Sequence, residues 1–362
     1  MRKLKVLLLC GGRSAEHQVS LVSAATIARA LSPAKFQIET VYIDSNGRWL
    51  TASRKLLENR GRVNGKAPAL AASRSLSPLA AATSSGAKGF KPDVVFPVLH
   101  GPMGEDGTIQ GLLESAGVPY VGAGVLGSAL GMDKDVAKRL VRAAGLPVLP
   151  YVVARPGFPI PSDVGALGFP LFVKPAGLGS SVGVSKVERK AELGKALREA
   201  FRFDTKALVE KAVEAREIEC AVLGDPWSRP GDPLELRASG LGEVVARARF
   251  YTYAAKYLDP DGAERFIPAP LPYAKTAGIR EMAVRAFRAL EGYGMGRVDF
   301  LLDKRTGKVY FNEVNTIPGF TASSMYPELW KAAGVPTPRL VELLIDLAIR
   351  RSGRRRRLRV KP

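Results

Sequence analysis

Residues 6–10, VLLLC, form a short unbroken apolar run between a polar N-terminus and Gly11-Gly12. A run of that length suits a parallel strand buried on both faces. The period then lengthens, predicting a helix to about Leu31. A second strand follows over 36–44, closed by the turn Asn46-Gly47. A third strand is expected over 93–99, a helix over 109–116 and a fourth strand over 118–122. Strands alternating with helices predict a parallel α/β unit for roughly the first 125 residues. Residues 51–90 are rich in Ala, Ser, Gly and Arg and carry no period. They are expected to form a loose insertion with a short helix, and not a domain.

Further along, residues 132–145 read as a helix, with Asp133 as N-cap and Gly145-Leu146-Pro147 as its stop. Val136, Leu140, Val141 and Ala144 make its apolar face. Lys134 stands in its first turn, where a cation opposes the helix dipole, so a specific reason for it is expected. Strands follow over 169–175, 207–213 and 216–224, and another from residue 242 breaks into a polar, aromatic loop holding Lys256 and Tyr257. A helix over 279–294 should turn Met282, Ala283, Ala286, Phe287 and Leu290 inward. The last helix starts at Thr337-Pro338 and buries a stripe of Leu340, Leu343, Leu344 and Leu347.

Between those helices lies a predicted hairpin, with arms 297–303 and 309–315. Side chains alternate along a strand, so Arg297, Asp299 and Leu301 share a face, and Val309, Phe311, Glu313 and Asn315 share one. A three-residue loop over 305–307, with Gly307 left-handed, sets Lys304 opposite Lys308 and Asp299 opposite Glu313. A two- or four-residue loop would slip the register and part the two carboxylates. Two carboxylates and an amide on one patch suit a hard cation.

Length and composition narrow the class. A chain of 362 residues suggests two to three domains. With 46% hydrophobic and 24% charged residues it should fold as an ordinary globular protein. No apolar run approaches the ~20 residues that span a bilayer. The start MRKLKVLLLC is followed by GGRSAEH and not by a small-residue cleavage site, which argues against a signal peptide. Cys10 and Cys220 lie in apolar strand contexts and are expected as buried thiols in a reducing compartment, hence a cytoplasmic protein. Of the net charge of +20, residues 350–362 supply 8. That segment lacks interleaved aromatics and any recognition motif, so no specific nucleic-acid partner is expected and the tail is read as a solvated, disordered end. The basic remainder suits anionic substrates.

Ligands of parallel α/β sheets bind where strand C-termini meet loops. The loops 11–17 and 100–107 bring Glu16, His17 and His100 toward one such crevice. Lys174 ends a strand and precedes AGLGSSVG (176–183), a flap whose N–H and hydroxyl groups suit phosphate oxygens. It is not a Walker loop, since G-x-x-x-x-G-K-[ST] is absent and a strand follows. Glu210 and Glu217 could accept from an adenine amine or from ribose hydroxyls.

The segments GGRSAEHQVS, LHGPMGEDGTIQG, MDKDVAKRL, LFVKPAGLGSSVGVSKV, VEKAVEAREIECAVLG, FYTYAAKYLD, GRVDFLL and FNEVNTIPGFTASSMYP, in that order, resemble the D-alanine–D-alanine ligases of the ATP-grasp superfamily. The resemblance implies an α/β ATP-grasp fold behind an N-terminal parallel α/β domain. It divides the chain into 1–127, a central lid domain over 128–215, a metal-bearing domain over 216–349 and the tail. It implies ligation of two D-alanines, with ATP and two Mg²⁺ (or Mn²⁺), through a D-alanyl phosphate in peptidoglycan precursor synthesis, by a homodimer.

Carried onto matching residues, Asp299 and Glu313 would hold one metal, Glu313 and Asn315 the other. Lys134 and Lys174 would meet ATP phosphates, with Lys256 at the γ-phosphate and Ser181 in the flap above. Glu210, Lys211 and Val213 would receive adenine, and Glu217 the ribose. Glu16 would take the first D-alanine's ammonium, near His100. Arg297 and the Gly319 N–H would form an oxyanion site, and Ser324 would hold the second carboxylate. Glu16, Ser180 and Tyr257 would tie three segments shut. Gly177 stands where an Asn is common, and Thr252 and Ala254 where acids are. Tyr257 favours the dipeptide over a D-alanine–D-lactate product. A D-serine or D-lactate ligase, or an RNA-binding protein using the basic surface, are the alternatives.

Overall fold

A computed structural model describes residues 2–52, 75–84, 90–246 and 263–359. In the N-terminal unit, β1 (Leu4–Gly11) leads to α1 (His17–Ala30) and β2 (Phe36–Ile43). After β3 (Trp49–Ala52) come β4 (Ser75–Leu76), α2 (Pro78–Ser84), β5 (Val94–Val98) and α3 (Thr108–Ser115). The sheet runs β4-β3-β2-β1-β5, with β1 parallel to both β2 and β5. Apolar strands without alternation are buried on both faces: Val6, Leu7, Leu8, Leu9 and Cys10 are fully enclosed.

Two expectations change here. The segment expected as a fourth strand is reduced to one parallel bridge, Val95 to Tyr120. The segment expected as a loose insertion gives the sheet its antiparallel edge, β3 on β2 and β4 on β3, while its short helix, α2, is as expected. Trp49 and Leu50, just ahead of the unpatterned stretch, supply the apolar contact for that edge. The middle of the insertion lies outside the described residues.

The central unit follows α4 (Val125–Met132) and α5 (Lys134–Ala143). It holds β6 (Tyr151–Ala154), α6 (Val164–Leu167), β7 (Leu171–Pro175), β8 (Ser185–Val187), α7 (Lys190–Ala200) and β9 (Ala207–Lys211). Its antiparallel sheet has the order β6-β9-β7-β8. Asp133 caps α5 as expected, accepting from the N–H groups of Asp135 and Val136, both at 3.0 Å. By packing, however, α5 joins the next unit: Ala137 and Val141 share a core with Phe287, Phe300 and Phe311.

The third unit contains β10 (Ala215–Gly224), β11 (Arg237–Ala246), β12 (Ala263–Phe266), α8 (Tyr273–Ala289), β13 (Gly294–Asp303), β14 (Val309–Asn315), α9 (Met325–Ala332) and α10 (Thr337–Arg356). Its antiparallel sheet runs β12-β11-β10-β13-β14. Helix α8 begins and ends several residues earlier than expected. It starts after Pro272 and stops before Glu291, which takes a positive φ of 51°. Helix α10 lays its leucine stripe on α1, so Leu340, Leu344 and Leu347 share one core with Leu21, Ala24 and Ile27.

The basic tail is a correction. Far from being disordered, its start continues α10 to Arg356. Arg350 pairs with Asp232 at 2.8 Å, and Arg354 with the fully buried Asp225 at 2.7 Å. Arg351 donates to the Gly122 and Tyr120 carbonyls at 2.5 and 3.0 Å, and its guanidinium lies 4.2 Å from the Tyr120 ring centre. Arg355 pairs with Glu114. Cations also suit a helix C-terminus. The charge that reads as a solvated run in sequence is held by acids and aromatics far away along the chain.

Candidate active site

The hairpin of β13 and β14 carries the acids, and its register has a compensated error. Asp303 N–H donates to Lys308 O, and Gly307 N–H to Asp303 O at 2.8 Å, so the loop holds four residues. Gly307 is left-handed, with φ 67°. Leu302, Leu301 and Phe300 therefore pair with Val309, Tyr310 and Phe311, a slip of one. A bulge at Asn312 takes up the slip, and Asp299 faces Glu313 as expected. The bulge also corrects the facing of β14. Val309 and Phe311 point into the core with Phe300 and Leu302, opposite to Glu313. Asn312 is thereby brought to the site beside Glu313.

Two adjoining cavities meet at this hairpin. The larger, about 330 Å³, lies between the central and third sheets. Lys134, Lys174, Ser180, Ser181, Glu210, Lys211, Val213 and Glu217 line it, along with Arg297, Asp299 and Glu313. The smaller, about 40 Å³, opens between the N-terminal and third units and is lined by Glu16, His100, Asn315 and Gly319. Ser180, Arg297 and Glu313 border both.

The N-terminal loops are fastened to the third unit at the residues following β14. His100 Nδ1 donates to Ile317 O at 2.9 Å, leaving Nε2 as the bare nitrogen of a neutral ring. Burial lowers the His100 pKa, partly offset by Glu16. Glu105 accepts from Gly101 N–H at 2.8 Å and from Ile317 N–H at 3.0 Å. Phe320 N–H donates to Ser23 Oγ at 3.0 Å. A Cβ at Gly319 would stand 2.8 Å from Ser324 Oγ, so a side chain there would displace that hydroxyl. Ser324 Oγ in turn accepts from Thr321 N–H at 2.9 Å.

The flap arches over the join. Ser180 and Ser181 hold left-handed backbones, φ 53° and 57°, a conformation that L-residues adopt at a cost and that clusters at functional sites. Ser180 Oγ donates to Glu16 Oε1. Lys134 Nζ donates to Leu178 O at 2.5 Å. Gly177 N–H is taken by Asp204 Oδ2 at 2.6 Å, which anchors the turn where an Asn is absent. Lys256, Tyr257, Thr252 and Ala254 lie outside the described residues.

The acids of the hairpin are matched by cations. Arg297 binds Asp299 through two hydrogen bonds of 2.7 and 2.6 Å and lies 2.9 Å from Glu219. Asn315 Nδ2 donates to Asp299 Oδ2 at 3.0 Å, and Lys134 Nζ is 3.1 Å from Glu313. Among the described residues, no three or more His, Cys, Asp or Glu side chains form a closed cage for a metal. The donor set still fits a hard cation, since Asp299, Glu313 and Asn315 offer only oxygens from adjacent positions. Their charge is already balanced by side chains that a cation could relieve. Deeper in the cleft, Glu210 is 2.6 Å from Lys138 and 2.5 Å from Lys174. Burial raises the Glu210 pKa, but the two ammoniums outweigh it and hold the group as a carboxylate.

Glu105, Glu219 and Asn312 escape the sequence reading, and Lys138 is visible there only as a helix residue. Glu105 sits within a motif already singled out. Asn312 becomes legible only once the bulge is known.

A family model described as D-ala D-ala ligase N-terminus matches residues 5–123, and one described as D-ala D-ala ligase C-terminus matches 140–346. The D-alanine–D-alanine ligase A of Chromobacterium violaceum is 49% identical over 96% of this chain and 96% of its own length. The D-alanine–D-alanine ligase of Heliobacterium modesticaldum is 46% identical over 99% and 98%. Among solved structures, the D-alanine–D-alanine ligase from Coxiella burnetii aligns with a TM-score of 0.83 at 36% identity, covering 98% of this chain and 97% of that one. The VanG D-Ala:D-Ser ligase of Enterococcus faecalis aligns with a TM-score of 0.79 at 34% identity, covering 96% and 100%.

Proposed function

The chain belongs to the D-alanine–D-alanine ligase family, and we infer that it is the ADP-forming ligase that condenses two D-alanines into D-alanyl-D-alanine for peptidoglycan. The observation that carries the site reading is the shared wall of the two cavities. Arg297, Ser180 and Glu313 face both, so a nucleotide phosphate in the larger meets a carboxylate in the smaller.

In this reading the first D-alanine rests its ammonium on Glu16, near the neutral His100. Its carboxylate oxygen attacks the γ-phosphorus of ATP, forming D-alanyl phosphate and releasing ADP. The amine of the second D-alanine, its carboxylate on Ser324, attacks the acyl carbon, and phosphate leaves. Arg297 and the Gly319 N–H stabilise the oxyanion of that tetrahedral intermediate, where fixed donors act most strongly. Lys134 and Lys174, joined by Lys256, receive phosphate oxygens beneath Ser181. Glu210, Lys211 and Val213 take the adenine and Glu217 the ribose. The tie between Ser180 and Glu16, to which Tyr257 would add by the family resemblance, keeps water from the acyl phosphate.

Asp299 with Glu313, and Glu313 with Asn315, would hold two Mg²⁺ or Mn²⁺ ions, which neutralise phosphate charge when bound. We assign domain limits of 1–127 and 128–215 and a third domain that runs from 216 to the end of α10 at Arg356 and takes α5 into its core, with a homodimeric state and a cytoplasmic location. The buried free thiols Cys10 and Cys220 support a reducing compartment. Among the described residues, no helix is long and apolar enough to cross a membrane.

The test is ATP-dependent phosphate release across a panel of D-amino and D-hydroxy acids. D-alanine alone should suffice. Release that requires D-lactate would overturn the dipeptide assignment. Release that requires D-serine would favour the second reading, which the likeness to the VanG enzyme supports.

A further inference from the structure

Lys138 lies one turn beyond Lys134 on α5, on the same side of the helix. Unlike Lys134 it is fully buried, and it is not among the residues lining the cleft. Its Nζ reaches Glu210 Oε1 at 2.6 Å and Phe311 O at 3.4 Å. The second Glu210 oxygen pairs with Lys174 at 2.5 Å. One buried carboxylate therefore sits between two ammoniums, one enclosed and one at the cleft wall.

The two cations are not equivalent. Lys174 borders open space and has Asn312 Oδ1 at 3.5 Å as a further neighbour, so it can turn toward an arriving anion. If Lys174 were the only partner, its departure would strand a buried charge, among the most costly arrangements in a protein. Lys138 is locked by its surroundings and remains. We infer that Lys138 is a positioning residue that keeps Glu210 ionised and in place, so that Lys174 can exchange a carboxylate for a nucleotide phosphate. This rests on the reading of the larger cavity as an ATP site.

Removing Lys138 leaves Glu210 dependent on Lys174 alone, and the nucleotide must then compete with a buried carboxylate for that lysine. Binding of a non-hydrolysable ATP analogue with Mg²⁺, followed by calorimetry, tests this. Wild-type protein must bind it first. Failure there would overturn the nucleotide reading itself. Lys138→Met should weaken the analogue by about tenfold or more, with the KM for D-alanine unchanged. A residue that merely supported the fold would disturb both substrates. Adding Glu210→Gln to Lys138→Met should bring affinity back to that of Glu210→Gln alone, because no carboxylate is left to hold Lys174.

Wild-type affinity in Lys138→Met overturns the inference, as does a double variant whose loss equals the product of the single losses. If Lys138→Met fails to fold, the double variant decides. Folding with the affinity of Glu210→Gln supports the pairing, since removing both members of a buried ion pair is often tolerated. A double variant that is unfolded, or weaker than Glu210→Gln, refutes it.

Discussion

Glu105 should release a proton when D-alanine binds. Its carboxyl is buried beside the small cavity and its pKa is pushed up to about 8, first by burial and next by the Glu16 carboxylate. The N–H groups of Gly101 and Ile317 and the charge of Arg297 pull the other way without prevailing. At pH 7 a group with that pKa is about 90% protonated. Docking an ammonium on Glu16 cancels the charge of Glu16 and brings a cation nearby. The Glu105 pKa should therefore fall, releasing part of that proton, at most about 0.9 per site at pH 7.

Calorimetric titration of D-alanine in buffers of different ionisation enthalpy reads this number as a slope. The slope should be largest just below pH 8, the free value, and should vanish at much lower and much higher pH. In Glu105→Gln it should fall to zero. Heats independent of buffer in the wild type would refute the reasoning, as would an unchanged slope in Glu105→Gln. The same group bears on stability. Its folded pKa lies above its ordinary 4.5, so its contribution is complete below that pH and is lost as pH rises through about 8. The loss is on the order of 5 kcal/mol.

Glu313→Gln should cut ligase turnover by about a hundredfold or more while the circular dichroism stays native, since it removes the carboxylate common to both proposed metals. Near-normal phosphate release would sink the metal assignment. Arg354→Ala strips the fully buried Asp225 of its 2.7 Å partner, leaving Arg350 at 4.0 Å. That should cost about 2 kcal/mol, discounted for the half-exposed arginine, and lower the unfolding midpoint by several degrees with both substrate KM values unchanged. An unaltered midpoint would mean that the segment is the solvated end its composition suggests.

Sequence legibility followed the range of the forces involved. Strand β1 and the cap of α5 are local features, set by an apolar run and by Asp133, and the chain displays both plainly. The opposition of Asp299 and Glu313 was also legible, although by a different route. The loop is a residue longer than its glycine suggests, and the bulge at Asn312 restores the register. Two departures from regular geometry cancel, and a pattern of period two cannot show either one. Glu105 and Lys138 were opaque because their roles depend on burial by distant segments. Lys138 meets a strand that begins some seventy residues later. The arginines of α10 were misread for the same reason, since Asp225, Asp232 and Glu114 are remote in sequence.

Helix α10 also dictates an order of events. Its leucines cover the outer face of α1, and Lys35 pairs with Glu342 across 307 residues of chain. During synthesis the N-terminal sheet emerges first, with Leu21, Ala24 and Ile27 still lacking their cover. Closing so distant a contact is slow, and apolar surface left open in the interval is a liability for aggregation. An N-terminal unit that folded before α10 was made would expose that apolar face. The loop bearing His100 and Glu105 and the helix bearing Ser23 come to rest against Ile317 and Phe320 only after nearly the whole polypeptide has been made.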